Sequence, residues 1–106
     1  MFARSVTFHL KPGRTTEFTQ TLEKDIIPVL RKQKGFQDEI AFVGPNGTDT
    51  FGISLWDLKE NADAYARGTY ASVLKSMEPV MEGTPEVETY EVSNSTFHKI
   101  ASRVTV

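Results

Sequence analysis

Two alternating runs, Phe36 to Val43 and Thr50 to Trp56, meet at Gly44-Pro45-Asn46-Gly47, and this arrangement restricts the fold more than any other feature of the chain. Period-two patterning on both sides of Gly/Asn turn chemistry specifies an antiparallel hairpin. A helical pattern and an extended one flank it on either side. Upstream, Val6, Phe8 and Leu10 alternate with Ser5, Thr7 and His9 over residues 3–10, which reads as a half-buried strand. After Lys11-Pro12-Gly13, Phe18, Leu22, Ile26 and Leu30 recur every four residues, with Ile27 and Val29 widening the apolar stripe of an amphipathic helix. Thr15 or Thr16 is placed to cap that helix and Gly35 to end it, while Pro28 should kink it or loosen its last turns.

Downstream of the hairpin, Asp57 lies three residues ahead of Glu60, and Ala62, Tyr65 and Ala66 begin a second helical face. Gly68 interrupts it, so the helix bends there or restarts before Tyr70, Val73, Leu74, Met77, Val80 and Met81; Gly83-Thr84-Pro85 ends it. Val87 to Val92 is a fourth strand, and Phe97 to Val106 alternates weakly beyond a polar break. The order β-α-β-β-α-β defines an α+β, ferredoxin-like fold with a four-stranded antiparallel sheet. With 106 residues there is room for one core. Residues 1–96 form the domain, and residues 97–106 form an extended tail able to cross to a partner subunit.

Both helices should cover one face of the sheet. The more apolar phases, Val6, Phe8, Leu10, Ile40, Phe42, Phe51, Ile53 and Leu55, are expected beneath them. Ser5, Thr7, His9, Ala41, Val43, Ser54 and Trp56 would then form a second face. That face is too apolar to stand bare in water, and a second copy of the same sheet is its simplest cover.

Several chemistries are excluded by missing residues. The chain has no cysteine, so thiolate nucleophiles, disulfides and Cys-based metal sites are absent. No Gly-rich phosphate loop or GxSxG turn occurs, and His9 and His98 lack the spacing of a metal pair, so no metal site is expected. Twelve basic against fourteen acidic residues, a net charge of -2, argues against nucleic-acid binding. The third strand overlaps the RNA-recognition pattern only at Phe51-Gly52, with Asp49-Thr50 where that pattern needs a basic residue and Gly. The amino terminus lacks a signal-peptide pattern, and no apolar run of about 18 residues occurs, so a soluble, cytoplasmic protein without membrane contact is expected.

The remaining chemistry lies in polar-tipped aromatics. Trp56, Tyr65 and Tyr70, with Asn61 and Arg67 near them and His9 approaching from strand 1, are placed to line a pocket between sheet and helix. Tyr and Trp combine an apolar body with one hydrogen-bonding tip, which suits a planar aromatic ligand bearing phenol or ketone oxygens. The same aromatics would serve equally as core or interface packing, with Arg67 a solvated charge.

With its opening strand followed by Lys11-Pro12-Gly13, Ile27-Pro28-Val29-Leu30 leading to Gly35-Phe36, Trp56 followed by Ala64-Tyr65, then Tyr70, Val73-Leu74 and the closing Glu86 to Val92, the chain resembles the antibiotic biosynthesis monooxygenase-like family. The resemblance implies a dimeric α+β barrel, a homodimer whose sheets face each other with a cavity between each sheet and its helices. It further implies a cofactor-independent monooxygenase that oxidises a small phenolic, quinol or anthrone-like aromatic with O2. His9 and Trp56 would then be catalytic, His9 as base, and Asn61, Tyr65, Arg67 and Tyr70 would bind substrate. The cofactor-free oxygenases of the family carry an Asn four residues before the Trp, where this chain has Gly52. The haem-degrading branch needs an Asn and a His, where this chain has Val6 and Ala66, so haem is not expected. The alternative is a non-catalytic dimeric ligand-binding or regulatory module, in which Trp56 is fully packed; the oxygenase reading expects a pocket of several hundred Å3 reaching Trp56.

Overall fold

The structure, a computed structural model, describes residues 1–98. The expected extended segment from Phe97 lies almost wholly outside the described residues. In chain order the elements are β1 (Phe2–Leu10), α1 (Thr15–Thr21), a π-turn (Leu22–Ile26), α2 (Ile27–Arg31), β2 (Phe36–Val43), β3 (Asp49–Trp56), α3 (Lys59–Gly68), α4 (Tyr70–Met77), a 3-10 turn (Glu78–Val80) and β4 (Met81–Glu91). The four strands make one antiparallel sheet in the order β2-β3-β1-β4, the ferredoxin-like topology.

Local chemistry accounts for several boundaries, although α1 begins at Thr15 with Arg14 before it and no side-chain cap, where Thr15 or Thr16 was expected to cap it. Pro28 has no N–H to bond one turn back, and the helical path relaxes into a π-turn immediately before it. Gly35 takes a left-handed φ of 80° and ends that path; a Cβ there would collide with Asp57 Oδ1 and the Asn61 side chain. In the hairpin, Asn46 Oδ1 accepts the N–H groups of Thr48 and Asp49 at 3.0 and 3.1 Å, and Gly47 supplies the positive φ. The helix restarts at Tyr70, directly after Gly68 and Thr69. Two expectations are corrected. Helical structure ends at Val80 rather than at Gly83, and Gly83-Thr84-Pro85 lies inside β4, which begins six residues earlier than its alternation suggested. The cause is an irregularity: β4 holds extra residues opposite the Thr7/His9 step of β1, and Gly83 bends the strand there with φ 73°.

The second correction concerns the faces. Pairing sets Val6 opposite Gly52 and Gly52 opposite Ala41, while Phe8 lies opposite Thr50 and Arg4 opposite Ser54. Partners across an antiparallel pair share a face. Ala41, Val43, Ser54 and Trp56 therefore lie under the helices, and Ile40, Phe42, Phe51, Ile53 and Leu55 join Ser5, Thr7 and His9 on the open face. The small residues belong beneath the helices because Phe18, Ile26, Leu30, Tyr65 and Met77 descend from above to fill the core with Phe8, Leu10 and Trp56. Phe8 meets Phe18 edge-on at 5.6 Å, and Trp56 packs on Phe36 at 5.6 Å and Tyr65 at 5.1 Å. On the other side, Phe42 and Phe51 stack at 4.6 Å, with Ile40 and Tyr90 also exposed.

Candidate functional site

Where the sheet is lined with small side chains, a cavity remains. Two rows of paired residues form its floor. One runs Glu39, Ser54, Arg4 across β2, β3 and β1; the next runs Ala41, Gly52, Val6. Phe18, Leu22 and Ile26 form one wall and Tyr65, Tyr70 and Met77 another, around a volume of ≈ 90 Å3. The π-turn matters here, since Leu22 and Ile26 are its first and last residues. The lining is almost entirely apolar, apart from a few groups with particular electrostatics.

Arg4 is 5 % exposed. Its guanidinium carbon lies 3.9 Å from the centre of the Tyr70 ring and 5.5 Å from that of Tyr65. Glu39 sits over the gap left by Gly52, its Oε1 3.4 Å from where a Cβ would be. Loss of solvent raises the Glu39 carboxyl above the usual carboxylate range. Burial pushes the Tyr65 phenol up to about 12, against a smaller opposing pull from Arg4, so Tyr65 is a neutral donor at physiological pH. The Tyr70 hydroxyl is buried with no hydrogen-bond partner.

The residues singled out in the sequence divide sharply. Tyr65 and Tyr70 reach the cavity. Trp56, 0 % exposed, is one contact removed: its ring lies on Tyr65 and its Nε1 donates to Ser54 Oγ at 2.9 Å. His9 does not reach it. Odd positions of β1 face away from the helices, and His9 is paired with Asp49 at 2.9 Å on the open face, its side chain 67 % exposed. Asn61, a full turn before Tyr65, donates to Asp57 Oδ1 at 2.8 Å and braces the Gly35 turn instead. Arg67 is exposed, because two residues beyond Tyr65 the helix has turned about 200°. Arg4 and Glu39 were missed. Both stand in the buried phase of their strands, Arg4 with Phe2, Val6 and Phe8, Glu39 with Ala41, and a charge in that phase was the available signal. Among the described residues no group of three His, Asp or Glu is arranged to hold a metal, and no helix is long and apolar enough to cross a membrane.

No family model matches the chain, and no curated protein matches its sequence. Solved structures do match. A candidate antibiotic biosynthesis monooxygenase from Bordetella bronchiseptica superposes with a TM-score of 0.73 at 13% identity, over 86% of this chain and 95% of that one. The protein has the antibiotic biosynthesis monooxygenase-like fold. A second candidate enzyme of this kind, from Nitrosomonas europaea, gives a TM-score of 0.70 at 14% identity over 87% of this chain and 98% of its own. An arginine variant of MhuD with two manganese protoporphyrin IX molecules bound per active site gives 0.73 at 15% identity, over 91% and 98% of the two chains. The shared fold does not by itself decide the chemistry, which the side chains around this cavity must do. The two positions that the haem-degrading branch fills with Asn and His are here Val6, in the cavity floor, and Ala66, exposed, and neither side chain can ligate a haem iron.

Proposed function

We propose that the chain is a cofactor-independent monooxygenase that oxidises a small phenolic, quinol or anthrone-like aromatic with O2, acting as a homodimer. The observation that carries this reading is the placing of a proton acceptor and hydroxyl donors around one apolar cavity: Glu39, Tyr65 and the Tyr70 hydroxyl, which has no partner. An electron-rich aromatic needs little else. Glu39, whose raised pKa brings it toward that of a useful base, takes the substrate proton in place of His9. Tyr70 and Tyr65 donate to the oxyanion that forms, and the apolar walls keep water from it. The anion gives an electron to O2. One oxygen atom then bonds to the substrate carbon and the other leaves as water with two substrate hydrogens, so the substrate supplies all four electrons and no external reductant is consumed.

The open face supports the homodimer. Ile40, Phe42, Phe51 and Tyr90 are exposed there, in line with the less exposed Ile53 and Leu55, and a second sheet would bury them. The alternative, a non-catalytic dimeric ligand-binding or regulatory module, draws on Trp56, which is fully packed and outside the cavity lining, and on a cavity of ≈ 90 Å3 where the oxygenase reading expected several hundred. Oxygen uptake on a panel of quinols and anthrones separates the two. The monooxygenase reading expects one O2 consumed per substrate, a fall in kcat of about 100-fold or more in Glu39→Gln, and an unchanged rate in His9→Ala. Uptake no faster than in buffer across the panel leaves the binding module.

A further inference from the structure

Arg4 presents a buried positive charge with no counter-ion among the described residues. Among the described residues no carboxylate lies within ion-pair distance of its guanidinium, and no side chain or carbonyl accepts a hydrogen bond from it. Its contacts are with the faces of Tyr70 and Tyr65. A charge 5 % exposed and unmatched is an unfavourable arrangement, and buried arginines are normally paired. Stacking on a tyrosine uses the flat face of the guanidinium and leaves its five N–H groups free in the plane. The nearest acid on the cavity floor, Glu39, stands two strands away across Ser54, about 9.5 Å between strand positions. Arg4 and Glu39 line the same cavity, yet the two form no ion pair.

We propose that Arg4 receives the carboxylate of a small aromatic acid, making the cavity selective for benzoate-like molecules. Two carboxylate oxygens match the in-plane fork of a guanidinium, a pairing that a neutral phenol or ketone does not make. The ring of such a molecule lies over Val6 and Gly52, between Phe18 and Met77, on apolar surface. A hydroxyl para to the carboxylate points from Arg4 toward Glu39, the proton acceptor named above. The proposal thus deepens the oxidation reading by naming the substrate class of the same cavity, and rests on that reading for the direction of the hydroxyl; recognition of the acid itself stands on Arg4 alone.

Calorimetric titration of the full chain at neutral pH tests it, using benzoate and 4-hydroxybenzoate against benzamide and 4-hydroxybenzamide. Each acid should bind at least tenfold more tightly than its amide, and Arg4→Met should abolish that preference, bringing acid affinity down to that of the amide. Because the variant removes an unmatched buried charge, its unliganded Tm should equal or exceed that of the wild type. The acid-to-amide ratio of the wild type tests the proposal without any variant. Equal binding of acid and amide, no binding of either acid, or a preference surviving in Arg4→Met overturns it. Acid binding without oxygen uptake on any acid or quinol keeps this assignment and removes the oxidation reading; uptake on neutral quinols with no preference for acids does the reverse.

Discussion

One hydroxyl organises the join between the core and the cavity. Ser54 Oγ accepts the indole N–H of Trp56 at 2.9 Å and lies 3.4 Å from the Arg4 carbonyl oxygen, to which it donates. Ser54→Ala would leave the indole N–H buried with no acceptor, a loss of about 1–3 kcal/mol expected in urea unfolding. Glu39 makes the opposite prediction. Its carboxyl is raised above 4.5, so the folded chain holds the proton more tightly than the unfolded one, and stability present below pH 4.5 is lost as pH rises through the folded pKa. Glu39→Gln should therefore unfold at a higher temperature than wild type at neutral pH, with the gap closing below pH 4.5; a gap independent of pH would show that Glu39 is not desolvated. At this scale the sequence was only half legible. Tyr65 and Tyr70 announced themselves by type, whereas Arg4 and Glu39 acquire meaning only from the phase of their strands, and His9 was credited by chemistry alone although its phase faces away from the helices.

At the scale of elements the pattern was far more readable. Every helix and strand of the β-α-β-β-α-β order is present, and Gly35, Pro28 and Gly68 each mark a real break. Turn residues act locally, which is why their consequences could be read without knowing what packs where. Gly35 offers the sharpest test. Any Cβ there meets Asp57 and Asn61 as well as the penalty of a positive φ, so Gly35→Ala should cost about 2 kcal/mol or more, seen as a fall of several degrees in Tm. An Asn61→Ala background removes the Asn61 amide but keeps its Cβ at 2.8 Å and leaves Asp57 in place, so it should recover only a small part of that loss. What could not be read was the orientation of β2 and β3. Alternation sorts residues into two sets but does not say which set faces the helices, and the larger side chains proved to be on the open side. The start of β4 was hidden for a related reason, because Gly83 and Pro85 look like punctuation and instead bend a continuous strand.

The whole molecule has one well-packed face and one unfinished face. If a second copy covers the latter, placing a charge at its centre should separate the subunits while leaving each fold intact. Phe51→Glu should convert a dimer to a monomer in native mass spectrometry with far-UV circular dichroism unchanged; a wild-type monomer at micromolar concentration would remove the proposed assembly. The alternation along β3 then takes on a second meaning. Thr50, Gly52, Ser54 and Trp56 point toward the helices and Phe51, Ile53 and Leu55 toward the open face, so adjacent letters of one strand belong to different properties of the protein. A substitution scan along this strand should oscillate with a period of two, one residue altering the core or the cavity and the next altering subunit association. Selection could therefore retune what the protein recognises without disturbing what it assembles with, although both are written in the same seven residues.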